Sequence, residues 1–579
     1  MKNIFNKKVF IATVALSMFV VISCKDSFLD VKPTGQLAQA QLSSKAGLEG
    51  SLIGVYAELA GNGFSRLAAS NNWVFGSIDG GDANKGTNAG DYSAINEIQR
   101  YASLPTNGDI GSTYKAKYEG IARANSVLRL IKTADATVSD ADKARITGET
   151  RFLRAHYYFE LKRLFNNTPY IDENTDEATI SKIGNDVDLW PKIEADMKAA
   201  YDGLPETQSG AGRANKWAAG AYLGKIYLYQ KKFTEAKAVF DAVITNGKTA
   251  NGKKYGLVPK YAQIFNAAND NHEESILAIQ SATNTGVASN ANGFDDLNYP
   301  YNTGPNGPGN CCGFFQPSIE LGNSFRTDAA GLPLLDGSYN IGANAVKTDQ
   351  GISSQTAFTT DAGNLDPRID HSIGRRGIPY LDWQDHPGFD WIRDQSYGGP
   401  YSPKKFIYYK SQEGTLTDGS SWTRGYAAMN YCIIRFADVL LMAAEAEVEV
   451  GSLEKAREYV NLVRTRAKNP DGTVKKGGVD AAKYVINTYA VPFTDKAIAR
   501  NIVRFERKLE LSGEGHRFFD LVRWGIADKE LNAYLNFEGK VLTTALGGAT
   551  FTSKAQYQPI PQDQVDLQGA GVLKQNPGY

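Results

Sequence analysis

Two adjacent cysteines, two glutamates four residues apart, and loops that mix aromatic rings with short acids are the parts of this chain equipped for chemistry. Glu506 and Glu510 share one face of a predicted helix. A carboxylate pair is what acid–base cleavage of a glycosidic bond requires. Carboxylates so placed also serve as ion-pair partners, and pairing with Arg517 or Arg523 is the reading we adopt. Cys311 and Cys312 stand in the run Gly309-Asn310-Cys311-Cys312-Gly313. Neighbouring Cα atoms lie about 3.8 Å apart across a trans peptide, closer than the usual disulfide span. A bond between them closes a strained eight-membered ring, which an oxidising location permits. It would form a rigid, flat apolar tip; the alternative is two small residues packed in a glycine-flanked turn. Cys432, in Tyr431-Cys432-Ile433-Ile434, reads as a buried free thiol. No Cys or His spacing suits zinc, so neither metal nor cofactor is expected.

Cys24 is a different kind of cysteine. Lys2, Lys7 and Lys8 precede an uncharged run from Val9 to Val21, followed by Ser23-Cys24 and then polar Lys25-Asp26-Ser27. The run is shorter than the roughly 20 residues that cross a bilayer but fits the apolar core of a secretory signal. Small Ser23 before Cys24 resembles a lipoprotein cleavage box. We therefore expect residues 1–23 to be a signal peptide and Cys24 to carry lipid, leaving the chain anchored to a membrane without spanning it. The chain holds 63 basic and 63 acidic residues, and no basic stripe appears, so nucleic acid is not an expected partner. Many Tyr and Trp in Gly/Asn-rich loops suit polar ligands that have apolar faces, although most rings are expected in the core.

Helical blocks alternate with long loops. Apolar spacing predicts helices over 45–60, 113–133, 140–165, from Trp190 to Leu204-Pro205, within 214–247, over 434–468 and over 495–511. Leu223-Gly224, Tyr227, Ala236 and Phe240 match the spacing of a tetratricopeptide helix pair, with a weaker copy around Ala443-Ala444, Ala456 and Val460. Such pairs must stack to bury their faces. The expected fold is mainly α, with about four pairs: 45–60 with 113–133, 140–165 with 190–203, 217–229 with 233–246, and 435–450 with 453–468. The scaffold takes about 40–275 and 432–530. Segments 60–112 and 280–430 form an irregular, loop-rich part with short strands, and 557–579 reads as an extended tail.

Four stretches together resemble the SusD/RagB family of outer-membrane lipoproteins: Glu149 to Tyr170, Ile434 to Ala446, Arg504 to Gly525, and Tyr557-Gln558-Pro559-Ile560-Pro561 with the terminal Gln575-Asn576-Pro577-Gly578-Tyr579. The segments following Cys24, Ser77 to Gly86 and Leu365-Asp366-Pro367-Arg368 are also similar, so the resemblance covers essentially all of 24–579 as a single domain. It implies a non-catalytic surface protein that captures a glycan and delivers it to a SusC-type TonB-dependent transporter, anchored in the outer membrane at Cys24. Capture of peptides, as in RagB-like members, is the alternative within the family. A secreted glycoside hydrolase and a helical scaffold with only protein partners are alternatives outside it.

The family motifs do not carry the ligand site, so its residues follow from sugar chemistry. Aromatic platforms suit the C–H face of a sugar ring, and charged or amide side chains suit its hydroxyls. Candidate contacts are Trp73, Asp79 and Asp82 in the first loop region; Cys311 and Cys312 in the second, near Asp295, Asp296, Tyr299 and Tyr301; and Arg376 and Trp383 between Asp370 and Trp391. Tyr408 belongs to a KKFIYYK segment that reads as a strand.

Overall fold

The computed structural model describes residues 39–309 and 311–579. Its long helices are α1 (Lys45–Ala57), α2 (Gly108–Leu130), α3 (Asp140–Phe165), α4 (Trp190–Gly203), α5 (Lys216–Tyr229), α6 (Phe233–Asn246), α7 (Phe436–Val450), α8 (Leu453–Ala467), α9 (Lys496–Glu510) and α10 (Ala527–Val541). Their starts are set by side chains that accept from orphan backbone amides. Asn107, Ser139, Asn215, Ser452 and Asp495 cap α2, α3, α5, α8 and α9 in this way. The Asn107 cap starts α2 five residues before the predicted 113.

The helices stack in sequence order. α1 packs on α2 and α3, then α2 on α3, α3 on α4, α4 on α5, α5 on α6, α6 on α7, and α7 on α8 and α9. All four expected pairs are in contact. In the α5–α6 pair a Cβ on Gly224 would lie 2.4 Å from the Phe240 ring, so only glycine allows this approach. α3, α5 and α7 are deeply buried, with Phe152–Phe165, Trp217–Leu228 and Phe436–Val448 buried without interruption. α10 was not foreseen, and residues 562–568 of the expected extended tail form a helix.

Strands are few and short. β1 (Ala83–Gly86) pairs antiparallel with β3 (Phe314–Pro317), and β2 (Ser275–Ile279) with β4 (Tyr431–Arg435) through an irregular register. Two-residue ladders complete the loop-rich part. The predicted strand at KKFIYYK is absent, because Phe406 adopts a positive φ that interrupts the extended run. Cys432 is a buried free thiol on β4.

The paired glutamates of α9 join a buried ion network. Glu506 meets Arg368 (2.7 Å) and Arg464 (2.8 Å). Glu510 meets Arg368 (3.0 Å), Arg435 (2.6 Å) and Arg466. The ion-pairing reading holds, but the partners do not: Arg523 pairs with Glu445 and Asp520, and Arg517 with Glu530.

Candidate functional site

Several residues expected at a ligand are interior props. Trp73 is 2 % exposed. Its ring stands edge-on to Phe314 and Phe315, and its Nε1 donates to the Arg66 carbonyl. It begins a tightly wound segment, 73–78, that passes so close to Gly515 that a Cβ on Gly76 would lie 2.0 Å from the Gly515 carbonyl oxygen. Asp79 accepts from Gln558 Nε2 at 3.2 Å and Asp82 from the Gly513 amide at 2.9 Å. Burial pushes both carboxyls up, Asp82 to about 7. Trp73 packs the 73–82 segment on β3, Asp79 and Asp82 hold it against the C-terminal third of the chain, and the three present nothing to a sugar.

Arg376 is also engaged. Its guanidinium donates to the carbonyls of Ser353, Ser354 and Thr356 at 2.6–3.1 Å and lies over Phe358, bracing that loop. Trp383 and Tyr408 are buried. Trp383 Nε1 donates to the Tyr408 carbonyl, and the Tyr408 hydroxyl accepts from the Gly309 amide at 3.0 Å. Their service to the surface is indirect, because they fix the loop that carries the cysteines.

Cys311 and Cys312 are joined by a disulfide, the first of the two alternatives. Cys312 and Gly313 donate to the carbonyls of Leu297 and Tyr299, and the Thr87 amide donates to the Gly313 carbonyl. The linked pair therefore sits where β3 begins, pinned to the 297–299 segment and to the end of β1. Cys311 is half-buried and Cys312 buried.

A second loop, 418–426, packs on the cysteine loop. Thr423 Oγ1 donates to the Gly309 carbonyl, the Tyr299 hydroxyl to the Gly425 carbonyl, and the Arg424 guanidinium to the carbonyls of Gly304 and Gly307. This loop carries Trp422, which is 59 % exposed. The ring donates from Nε1 to Asp296 Oδ2 at 3.2 Å. Asp296 also receives Arg66 through Nε (2.6 Å) and Nη2 (2.8 Å), and this bond keeps the guanidinium firmly protonated. Asp295 faces inward, where the amides of Asn71, Asn292 and Asn298 donate to it. Burial pushes its carboxyl up to about 6.

The arrangement offers an open indole face beside a covalently stiffened loop tip, with a buried carboxylate fixing the indole edge. Arg393 lies over Tyr301 at 5.2 Å and bonds Asp91 and Thr87, next to Gly313 of the cysteine loop. Of the residues singled out in the sequence, the structure brings together Cys311, Cys312, Asp296 and Tyr301. Trp422 and Arg66 were missed. The run Gly419-Ser420-Ser421-Trp422 is a glycine/serine stretch bearing one aromatic, the signal that could have found it.

A separate groove of about 570 Å³ runs between the end of α1, Gly210–Arg213 and residues 278–282, with Phe294 in its wall. Among the described residues no group of three or more His, Cys, Asp or Glu could hold a metal ion, and no helix is long and apolar enough to cross a membrane. Cys24 lies outside the described residues.

Comparison with known proteins places the chain. A family model described as "SusD family" matches residues 273–579, and one described as "Starch-binding associating with outer membrane" matches residues 27–228. A SusD-like protein, P25, from Formosa agariphila is 26% identical over 532 residues, covering 89% of this chain and 90% of its own. A SusD superfamily protein from Bacteroides vulgatus superposes with a TM-score of 0.66 at 22% identity, over 92% of this chain and 99% of its own. A surface glycan-binding protein A from Bacteroides thetaiotaomicron, solved with laminarihexaose, gives 0.63 at 20% identity, over 92% and 99%. At these identities the two structures speak for the fold.

Proposed function

The chain belongs to the SusD family, and from that premise we propose that it captures a glycan outside the cell and passes it to a SusC-type TonB-dependent transporter, without cleaving it. The observation that carries the reading is Trp422, a largely exposed indole whose edge is fixed by Asp296 beside the Cys311–Cys312 tip. A sugar ring can lay its C–H face on such a surface, and the immobilised edge lowers the ordering cost of binding. Cys311 and Cys312 remain proposed contacts. Support also comes from the names of relatives: a starch-binding family model and a glycan-binding protein solved with laminarihexaose. Capture is favoured over hydrolysis because Asp295 and Asp296, the carboxylates beneath the platform, are 6% and 0% exposed and engaged with side-chain donors. Neither is aimed at a bond in a ligand above.

One observation favours peptide capture as a second reading. The 570 Å³ groove is lined by the consecutive residues Ala278 to Ala282 at the end of β2, and an extended peptide can add to such a segment.

The test is a binding screen of residues 25–579 against polysaccharides with a peptide mixture alongside. Retention of a polysaccharide is expected, without release of reducing ends. Trp422→Ala should cost about 1–3 kcal/mol of affinity, the range of an aromatic anchor, with the melting temperature unchanged. Retention of peptides alone would move the function to the groove.

A further inference from the structure

Resting on the glycan-capture reading, we propose that the Trp422 platform selects neutral saccharides, and that Asp296 sets this preference by withdrawing the Arg66 guanidinium from incoming acid groups. The charge pattern at the rim carries the inference. Three arginines approach this face, and each is already matched to a carboxylate: Arg66 to Asp296, Arg393 to Asp91 and Arg424 to Glu413. The Arg66 pair uses Nε and Nη2 together, the same two-pronged edge that a uronate or sulfate would need. An acidic sugar would have to displace a carboxylate that is fully buried and that also positions Trp422.

What stays accessible at the rim is charge-balanced: the Arg393 and Arg424 side chains are 30% and 36% exposed beside their partners. The Asp91 and Glu413 side chains are 37% and 34% exposed. A polyanion therefore meets carboxylates and committed guanidinium groups, whereas a neutral ring meets an indole face. Asp296 is a positioning residue for both the indole edge and the cation, so its carboxylate couples the platform to the choice of ligand class.

The experiment compares laminarin, as the neutral probe, with alginate, as the anionic one, by affinity electrophoresis and calorimetry on residues 25–579. Wild type should bind laminarin and not alginate, with laminarin affinity unchanged between low and high salt because no charge is matched. Asp296→Asn keeps an acceptor for Trp422 but releases Arg66. Alginate affinity should then rise about tenfold, the scale of one charge-assisted contact, and the gain should fall with salt and vanish in Asp296→Asn/Arg66→Gln. If Asp296→Asn does not fold, Asp91→Asn makes the same release at the exposed Arg393 pair. Alginate binding by wild type, or no gain in a folded releasing variant, overturns the selectivity while leaving glycan capture standing. Silence toward every polysaccharide of the binding screen overturns glycan capture itself.

Discussion

Asp82 shows how a residue with the chemistry of a ligand contact can be a structural acid instead. Its carboxyl is buried, receives only the Gly513 amide, and is pushed up to about 7 by that burial. An unfolded Asp titrates near 3.9, so between about pH 4 and 7 the folded state holds a proton that the unfolded state has released. That stabilisation is fully present below the unfolded value and is lost as pH rises through 7. Glu538, also raised by burial to about 7, acts in the same direction. Buried histidines such as His156 and His386, lowered by burial to about 3, act oppositely below about 6.5. The difference between wild type and Asp82→Asn isolates the aspartate. The amide mimics the protonated acid, so the variant should gain on wild type by roughly 2 kcal/mol between pH 5 and 8, read by denaturant unfolding at each pH. A pH-independent difference would mean that Asp82 is ionised throughout. The sequence read Trp73, Asp79 and Asp82 as part of a glycine-rich loop, whereas Trp73–Ile78 is wound into a helical turn, and it could not show that the segment is interior. The contacts that bury it come from Gly513, Gly515 and Gln558, more than 400 positions away. Trp422 sits in a loop of the same composition and is exposed, so composition alone does not separate the two cases.

At the scale of elements, the helical pairs were legible because apolar spacing and the small residues of α5 are local signals. The irregular part was not, because its shape depends on polar contacts between distant loops. The ion network lies between these extremes: the spacing of Glu506 and Glu510 on α9 is local, while their arginines come from the 366–368 turn, β4 and α8. Burial alone would raise the Glu510 carboxyl, but Arg466, Arg435 and Arg368 outweigh it and hold it well below the usual range. The network is better regarded as fixing which elements meet than as a large net source of stability, since charges lose hydration on entering it. Removing one member leaves guanidinium groups buried without their partner. Glu510→Ala should therefore cost about 3–5 kcal/mol, seen as a lower denaturant midpoint with an unchanged slope. Because the folded value is depressed, the contribution of Glu510 is present above pH 4.3 and lost as pH falls, so the gap between variant and wild type should narrow in acid. A gap that stayed constant into strong acid would assign the loss to packing rather than to the carboxylate.

For the molecule as a whole, the helical stack and much of the loop-rich part share one large core, a smaller cluster of loop residues packs on α9, and the platform is a small surface on a large frame. Capture at a surface is useful only if the frame is held there, and the proposed tether is Cys24. The described chain begins at Gln39. The 15 steps from Cys24 to Gln39 (39 minus 24) can reach at most about 50 Å, even fully extended. A lipid on Cys24 would thus keep Gln39, where the described chain begins, within about 50 Å of the membrane. Among the described residues no helix is able to cross a bilayer, so the frame supplies no helical span in place of the lipid. Cys24→Ala should move the protein from the outer-membrane fraction to the soluble fraction while affinity for the polysaccharide retained in the binding screen, measured on the released protein, stays unchanged. Continued sedimentation with outer membrane after a high-salt wash would remove Cys24 as the anchor. Loss of affinity on release would show that capture depends on the membrane or on the transporter held there, and would relocate part of the site to that partner.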